Sequence, residues 1–288
     1  KMVPILKMSD FILRNLQSVI SIKNITFYPR KIFLACLAIL FLASCDRQNV
    51  DPMIQQAIDE WIKGRNHHAI ELFKAILKQH SSGPVAEEAL FRLGEIYHFS
   101  LGDSAKGILY FQEVLQLNKE SVFGFDAQRY IAEIVEFTFK DLDQAIIEYQ
   151  HLINDFNRPL ENGDHQYRIA SIYYKKQNYE QALTELEILI DNYPESRWAE
   201  ETNFKIVEIL FTLNRCSGVH DKYDRFVINY PDSRFKNELD FVIASCLEEE
   251  DKLKEAYDRF QSLENRYAYP ALLKMKIEGI KKRMGKKP

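Results

Sequence analysis

Two markers of mostly small residues recur in phase along the chain, and nothing else in the sequence limits its fold as tightly. The first runs Ala57, Gly94, Ala132, Ala170, Val207 and Ala244, at intervals of 37, 38, 38, 37 and 37 residues. The second runs Ala69, Gly107, Ala145, Ala182, Val219 and Ala256, at intervals of 38, 38, 37, 37 and 37. Both lie in stretches with apolar residues at helical spacing, so each period holds two amphipathic helices. A unit of this kind exposes an apolar face unless it stacks on its neighbours. The phasing therefore predicts a stack of six helix pairs over residues 51–269, with no long linker inside it.

The most regular copy is Gln166 to Ser196. Its first helix carries Ile169, Ala170 and Tyr173, and its second Ala182, Leu183, Leu186, Leu189 and Ile190. Lys176-Gln177-Asn178 forms the turn between them, and Pro194 stops the second helix because proline cannot continue it. Small residues at 170 and 182 let the two helices approach closely. The stretch resembles the tetratricopeptide repeat, with a small residue mid-helix, a tyrosine three later and an alanine opening the second helix. That resemblance implies an all-α, right-handed superhelical solenoid of about six helix pairs. Residues 270–288 read as a capping helix (Leu272, Leu273, Ile277, Ile280) and a basic tail. The period exceeds the usual ~34 residues. The excess is expected in the connections, among them Ser81-Ser82-Gly83-Pro84, Asn157-Arg158-Pro159, Tyr193-Pro194-Glu195-Ser196 and Tyr230-Pro231-Asp232-Ser233.

Ahead of the stack, Arg30-Lys31 precede an apolar run from Ile32 to Ala43. A dozen residues is short of the ~20 needed to span a bilayer, and the pattern is that of a signal peptide. Leu42, Ala43, Ser44 and Cys45 resemble the lipobox of bacterial lipoproteins, in which the cysteine is lipidated and becomes the mature N-terminus. The organisation expected is an N-terminal extension and signal peptide over 1–44, then a lipidated N-terminus and short tether over 45–50. Cys36 leaves with the apolar run. Cys216 and Cys246 have no zinc or redox spacing, and two separately buried thiols are the expectation.

Residues 1–44 carry six Lys or Arg against one acid, and 274–288 carry seven against one. Subtracting their +5 and +6 from the net −4 leaves the body at −15. An acidic body argues against nucleic-acid binding, which needs a basic surface to displace counterions.

A lipobox leading into such repeats, with Tyr193-Pro194-Glu195-Ser196 and Tyr230-Pro231-Asp232-Ser233 as connectors, resembles the BamD family of outer-membrane lipoproteins. The resemblance implies a scaffold of the machinery that assembles β-barrel proteins. Its partners would be the barrel-forming subunit and unfolded barrel substrates, on the periplasmic face of the outer membrane. The chain has six units where that family typically has five. Asp46 directly after the cysteine is a signal that in enteric bacteria keeps lipoproteins in the inner membrane. The same residues also suit a lipoprotein adaptor or pilotin of a secretion or pilus system, or a cell-envelope coordinator.

In the repeat family the first helices line the concave face. The positions carried over are Phe91, Glu95 and His98, then Arg129, Glu133 and Glu136. Tyr167, Ser171, Tyr174 and Lys175 follow, then Phe204, Glu208 and Phe211. Such a groove suits an extended peptide, with rings for affinity and charges for register. The aromatic members are equally suited to packing between repeats.

No chemistry beyond binding is expected. The histidines at 67, 68, 80, 98, 151, 165 and 220 form no HExxH or ligand triad, and no phosphate-cradling glycine loop or GxSxG elbow occurs. Catalytic residues, metal, cofactor and small-molecule substrate are all expected to be absent.

Overall fold

The computed structural model describes residues 51–156 and 158–285, so the signal peptide, Cys45 with its lipobox, Asn157, Lys286 and Lys287 lie outside the described residues. The described residues form thirteen helices. Six pairs are α1 (Pro52–Ile62) with α2 (Asn66–Gln79), α3 (Pro84–Glu95) with α4 (Ser104–Asn118) and α5 (Gly124–Glu133) with α6 (Leu142–Asp155). There follow α7 (Pro159–Lys175) with α8 (Tyr179–Asn192), α9 (Ala199–Thr212) with α10 (Cys216–Asn229) and α11 (Lys236–Glu249) with α12 (Leu253–Ser262). The thirteenth, α13 (Pro270–Met284), packs on α12 as the cap, burying Leu273, Ile277 and Ile280. Each helix packs on the next in sequence, so short turns make an antiparallel stack.

All twelve marker residues are buried. The second marker always sits where its N–H donates the first full helical bond to the pair's N-cap carbonyl, as in Ala69 to Arg65 (3.0 Å) and Ala182 to Asn178 (2.9 Å). One turn later a large side chain fills the pair: Phe73, Phe111, Tyr149, Leu186, Tyr223 and Phe260, all buried. Truncating such a side chain to alanine costs about 2–5 kcal/mol.

The turn inside each pair needs one residue in the left-handed region. Gly64, Gly102, Lys140, Gln177, Asn214 and Asp251 occupy it, one per unit, with φ between 57° and 76°. The N-cap follows at once, and Asp103, Asp141 and Asn178 accept a bond from the N–H three residues on. Such caps satisfy donors that have no partner in the helix. Proline opens α1, α3, α7 and α13, where its missing N–H is harmless.

The excess length is not confined to the connections. Helices α3 and α5 each end in a π turn, Ile96–Ser100 and Ile134–Phe139. In four units the N-cap N–H bonds back five residues, as Asn178 does to Tyr173 O (3.0 Å). In these two it bonds back six, Asp103 to Tyr97 O (2.8 Å) and Asp141 to Val135 O (3.1 Å). One inserted residue is absorbed by widening the last turn of the first helix.

Cys216 and Cys246 are joined in a disulfide, with Cα atoms 5.4 Å apart. This corrects the expectation of two separate thiols. The first turn of α10 lies beside the last turns of α11 because the two helices run antiparallel, and that places the sulfurs together.

Candidate functional site

The thirteen groove positions fall into three rows along the first helices, and the rows do different work. The row three residues before the marker is structural. Tyr167 stacks on Trp198 with centroids 4.3 Å apart and an interplanar angle of 2°. Phe204 stacks on Phe235 at 4.3 Å and 9°, and Phe91 meets Phe123 at 5.0 Å. Each partner ring is the N-cap residue of the next unit's first helix. A serine two residues earlier (Ser121, Ser196 or Ser233) accepts that residue's N–H. Asp164 then takes a two-pronged bond from Arg197 (3.0 and 2.8 Å) and the Trp198 indole N–H (2.7 Å). One unit later Glu201 accepts from the Tyr167 hydroxyl (2.7 Å) and from Arg234 (3.1 Å). The Tyr-Pro-x-Ser connectors thus explain unit-to-unit packing. Burial and the Glu201 carboxylate together hold the Tyr167 hydroxyl well above the usual tyrosine range.

Arg129, the fourth member of that row, has no connector ring opposite it. Its guanidinium forks to Asp126 (3.1 Å) and Glu133 (2.9 Å) and lies over the Tyr130 ring. The second row, one residue after the marker, is polar and locally satisfied. Glu95 accepts from Arg92 (2.7 Å), Glu208 from Lys205 (3.0 Å), and Ser171 donates to Tyr167 O (2.8 Å). Burial raises the Glu95 carboxyl despite its arginine partner.

The third row is where the π turns intervene. Tyr174 and Phe211 lie three residues before the left-handed turn residue, with Lys175 exposed beside them. Counted the same way, Trp61, Phe99 and Phe137 hold this place in the first three units, not His98 and Glu136. His98 instead meets Ser104 of its paired helix through Nδ1 (2.9 Å). Glu136 is buried, accepts from the Tyr149 hydroxyl (2.8 Å) and faces Arg168 at 3.4 Å. The inserted residue turns both side chains toward the second helix and brings the following phenylalanine outward. Phe99 and Phe137 are 56% and 54% exposed, whereas Tyr174 and Phe211 are half-buried. The result is a run of five rings, Trp61, Phe99, Phe137, Tyr174 and Phe211. Tyr130 approaches Phe99 edge-on (5.3 Å), Arg168 lies over Phe137 (5.0 Å), and Lys205 over Tyr174 (4.8 Å).

A cavity of 310 Å³ opens between the third and fourth units, lined by Arg129, Glu133, His165, Arg168, Arg197 and Trp198 among others. It unites Arg129, Glu133 and Tyr167 of the expected residues. His165 is buried there with no partner on Nε2, and burial holds its pKa below the ordinary histidine value. Among the described residues no cluster of His, Cys, Asp or Glu could hold a metal ion, and no helix is long and apolar enough to cross a membrane.

Residues 54–122 and 166–196 each match a family model described as tetratricopeptide repeat. A search of the curated proteins returns no match. Among solved structures the chain is similar to that of Naa15/Naa10 bound to HypK-THB, at 15% identity and a TM-score of 0.58, covering 94% of this chain and 38% of that one. It is also similar to YrrB, titled a TPR protein with an unusual peptide-binding site (11% identity, TM-score 0.48, 74% of this chain and 99% of that one). PilW, titled a widely conserved type IV pilus biogenesis factor, gives 12% identity and a TM-score of 0.43 over 77% and 96%. At these identities the likeness concerns the fold alone, an all-helical tetratricopeptide-like stack, which is typical of proteins that bind other proteins or peptides.

Proposed function

We propose that the chain is a lipid-anchored scaffold of a bacterial cell envelope, holding other proteins in its groove as a component of β-barrel assembly in the manner of the BamD family. The observation that carries the binding half is the ring row, where Phe99 and Phe137 stand open to solvent in line with the half-buried Trp61, Tyr174 and Phe211. Exposed aromatic area of this kind supplies affinity to a partner segment without any chemistry.

The envelope half rests on Leu42, Ala43, Ser44 and Cys45 ahead of the stack, and the Cys216–Cys246 disulfide supports it. Disulfides persist in oxidising compartments outside the cytoplasm. Each acyl chain contributes about 0.8 kcal/mol per buried methylene, so the several chains of a lipoprotein hold it on the membrane. The outer membrane, periplasmic face, is the proposed location, with Asp46 as the residue that would redirect it to the inner membrane. The connectors carry less of the family resemblance than their sequence suggests, because unit-to-unit packing accounts for them.

Affinity purification of the full chain from detergent-solubilised membranes tests the reading. Recovery of the barrel-insertion subunit supports it, and recovery of a secretin would replace it with the adaptor role. Cys45→Ala is expected to release the protein from the membrane fraction; retention there contradicts the anchor.

A further inference from the structure

We propose that the two π turns build a distinct docking site in the second and third units, and that its occupant is an acidic, apolar segment of another protein. The inference rests on the scaffold reading above and adds to it a location and a partner chemistry. Aromatic exposure at this end of the first helices is greatest here: Phe99, Phe137 and Phe139 are 56%, 54% and 49% exposed, while the matching residues of the fourth and fifth units are half-buried or charged. The cause is local. Each π turn advances the chain by one residue and carries the next side chain out of the pair interface.

Charge decides the occupant. Elsewhere in the groove the cations are already matched: Arg92 by Glu88 and Glu95, Arg129 by Asp126 and Glu133, Lys205 by Glu208. Along the third and fourth units two are not: Lys140, three residues after Phe137, and Lys175, next to Tyr174, are exposed and make no ion pair. Arg168 lies over the Phe137 ring and pairs with the buried Glu136. The nearby acids are committed, Asp141 to capping α6 and Asp143 to Lys176. An apolar surface flanked by two unpaired lysines fits a segment alternating apolar side chains with carboxylates, which gains affinity from the rings and register from the charges.

The test is fluorescence anisotropy on the purified full chain, with a labelled twelve-residue peptide of alternating Phe and Asp and a twin carrying Lys for Asp. The expected result is at least tenfold tighter binding of the acidic peptide. Phe99→Ser with Phe137→Ser should weaken it at least tenfold, and Lys140→Glu with Lys175→Glu should reverse the preference. All four positions are exposed, and an unchanged helical circular dichroism signal verifies folding. Equal binding of the two peptides overturns the proposal, as does undiminished binding by the phenylalanine variant. So does capture of phosphatidylethanolamine and phosphatidylglycerol vesicles through these rings, or a dimer that the same variant dissolves. Failure on any of these counts leaves the anchored-scaffold reading to its own test, since recovery of the barrel-insertion subunit does not depend on this peptide.

Discussion

Phe111 occupies the space that a side chain on Gly94 would need. A Cβ built on Gly94 would lie 2.5 Å from Phe111 Cε1 and 2.6 Å from Cδ1. The pair is the close contact of the second unit, where both markers are glycine. Gly94→Ala gains about 1 kcal/mol of helix propensity but overpacks the interface by about 1–3 kcal/mol. Net destabilisation is expected in urea unfolding. Phe111→Leu in the same chain should recover part of it, so the double variant is less destabilised than the two singles summed. Strict additivity would mean that the ring is not what the alanine meets.

The left-handed turn residues offer a test in the opposite direction. Gln177 has φ 59° and an exposed side chain with no hydrogen bond, while Gly64 holds the same position in the first unit with φ 76°. A side chain in this region is strained and glycine is not. Gln177→Gly is expected to raise stability by about 0.5–1 kcal/mol, and Gly64→Ala to lower it by about 1 kcal/mol. Midpoints of urea unfolding read both.

The disulfide closes a loop of sequence separation 30 between α10 and α11. Chain entropy assigns such a loop about 3–4 kcal/mol. Non-reducing peptide mapping should recover the two cysteines in one cross-linked peptide. Cys216→Ser should lower the unfolding midpoint under oxidising conditions and leave it unresponsive to reductant. Cys216 is the side to change, because Cys246 is fully buried and a hydroxyl there would add its own cost.

His165 supplies a pH dependence. Burial holds its folded pKa below the unfolded value of about 6.5, so the unfolded state binds the proton more readily. Its contribution is therefore intact above the unfolded value and falls as the pH drops below it. Wild type should lose more stability than His165→Gln between pH 7.5 and 5.5, measured by thermal unfolding. Parallel curves would remove His165 as the source.

The stack and its buried positions were legible because a marker spaced at 37–38 residues reports packing in every copy, whatever the local side chains. Groove register was legible only where the helix stayed regular. Counting from the marker puts Tyr174 and Phe211 three residues before the left-handed turn residue but His98 and Glu136 four before it, since such counting assumes no inserted residue. A signal for the insertion was present: the two markers of a unit lie 13 apart in the second and third units (94 to 107, 132 to 145) and 12 apart elsewhere. The disulfide was hidden for a different reason. Its spacing matches no motif, but Cys216 lies three residues before one marker and Cys246 two after another, on antiparallel neighbours.

A photoreactive phenylalanine analogue placed at Phe137 in the living cell tests the central claim most directly, with Leu160 as the control site. Leu160 is 88% exposed but lies at the opposite end of the first helices, away from the ring row. The account predicts a cross-link from position 137 to the barrel-insertion subunit, identified by mass spectrometry, and none from position 160. Cross-linking from 160 alone, or equally from both, would contradict it.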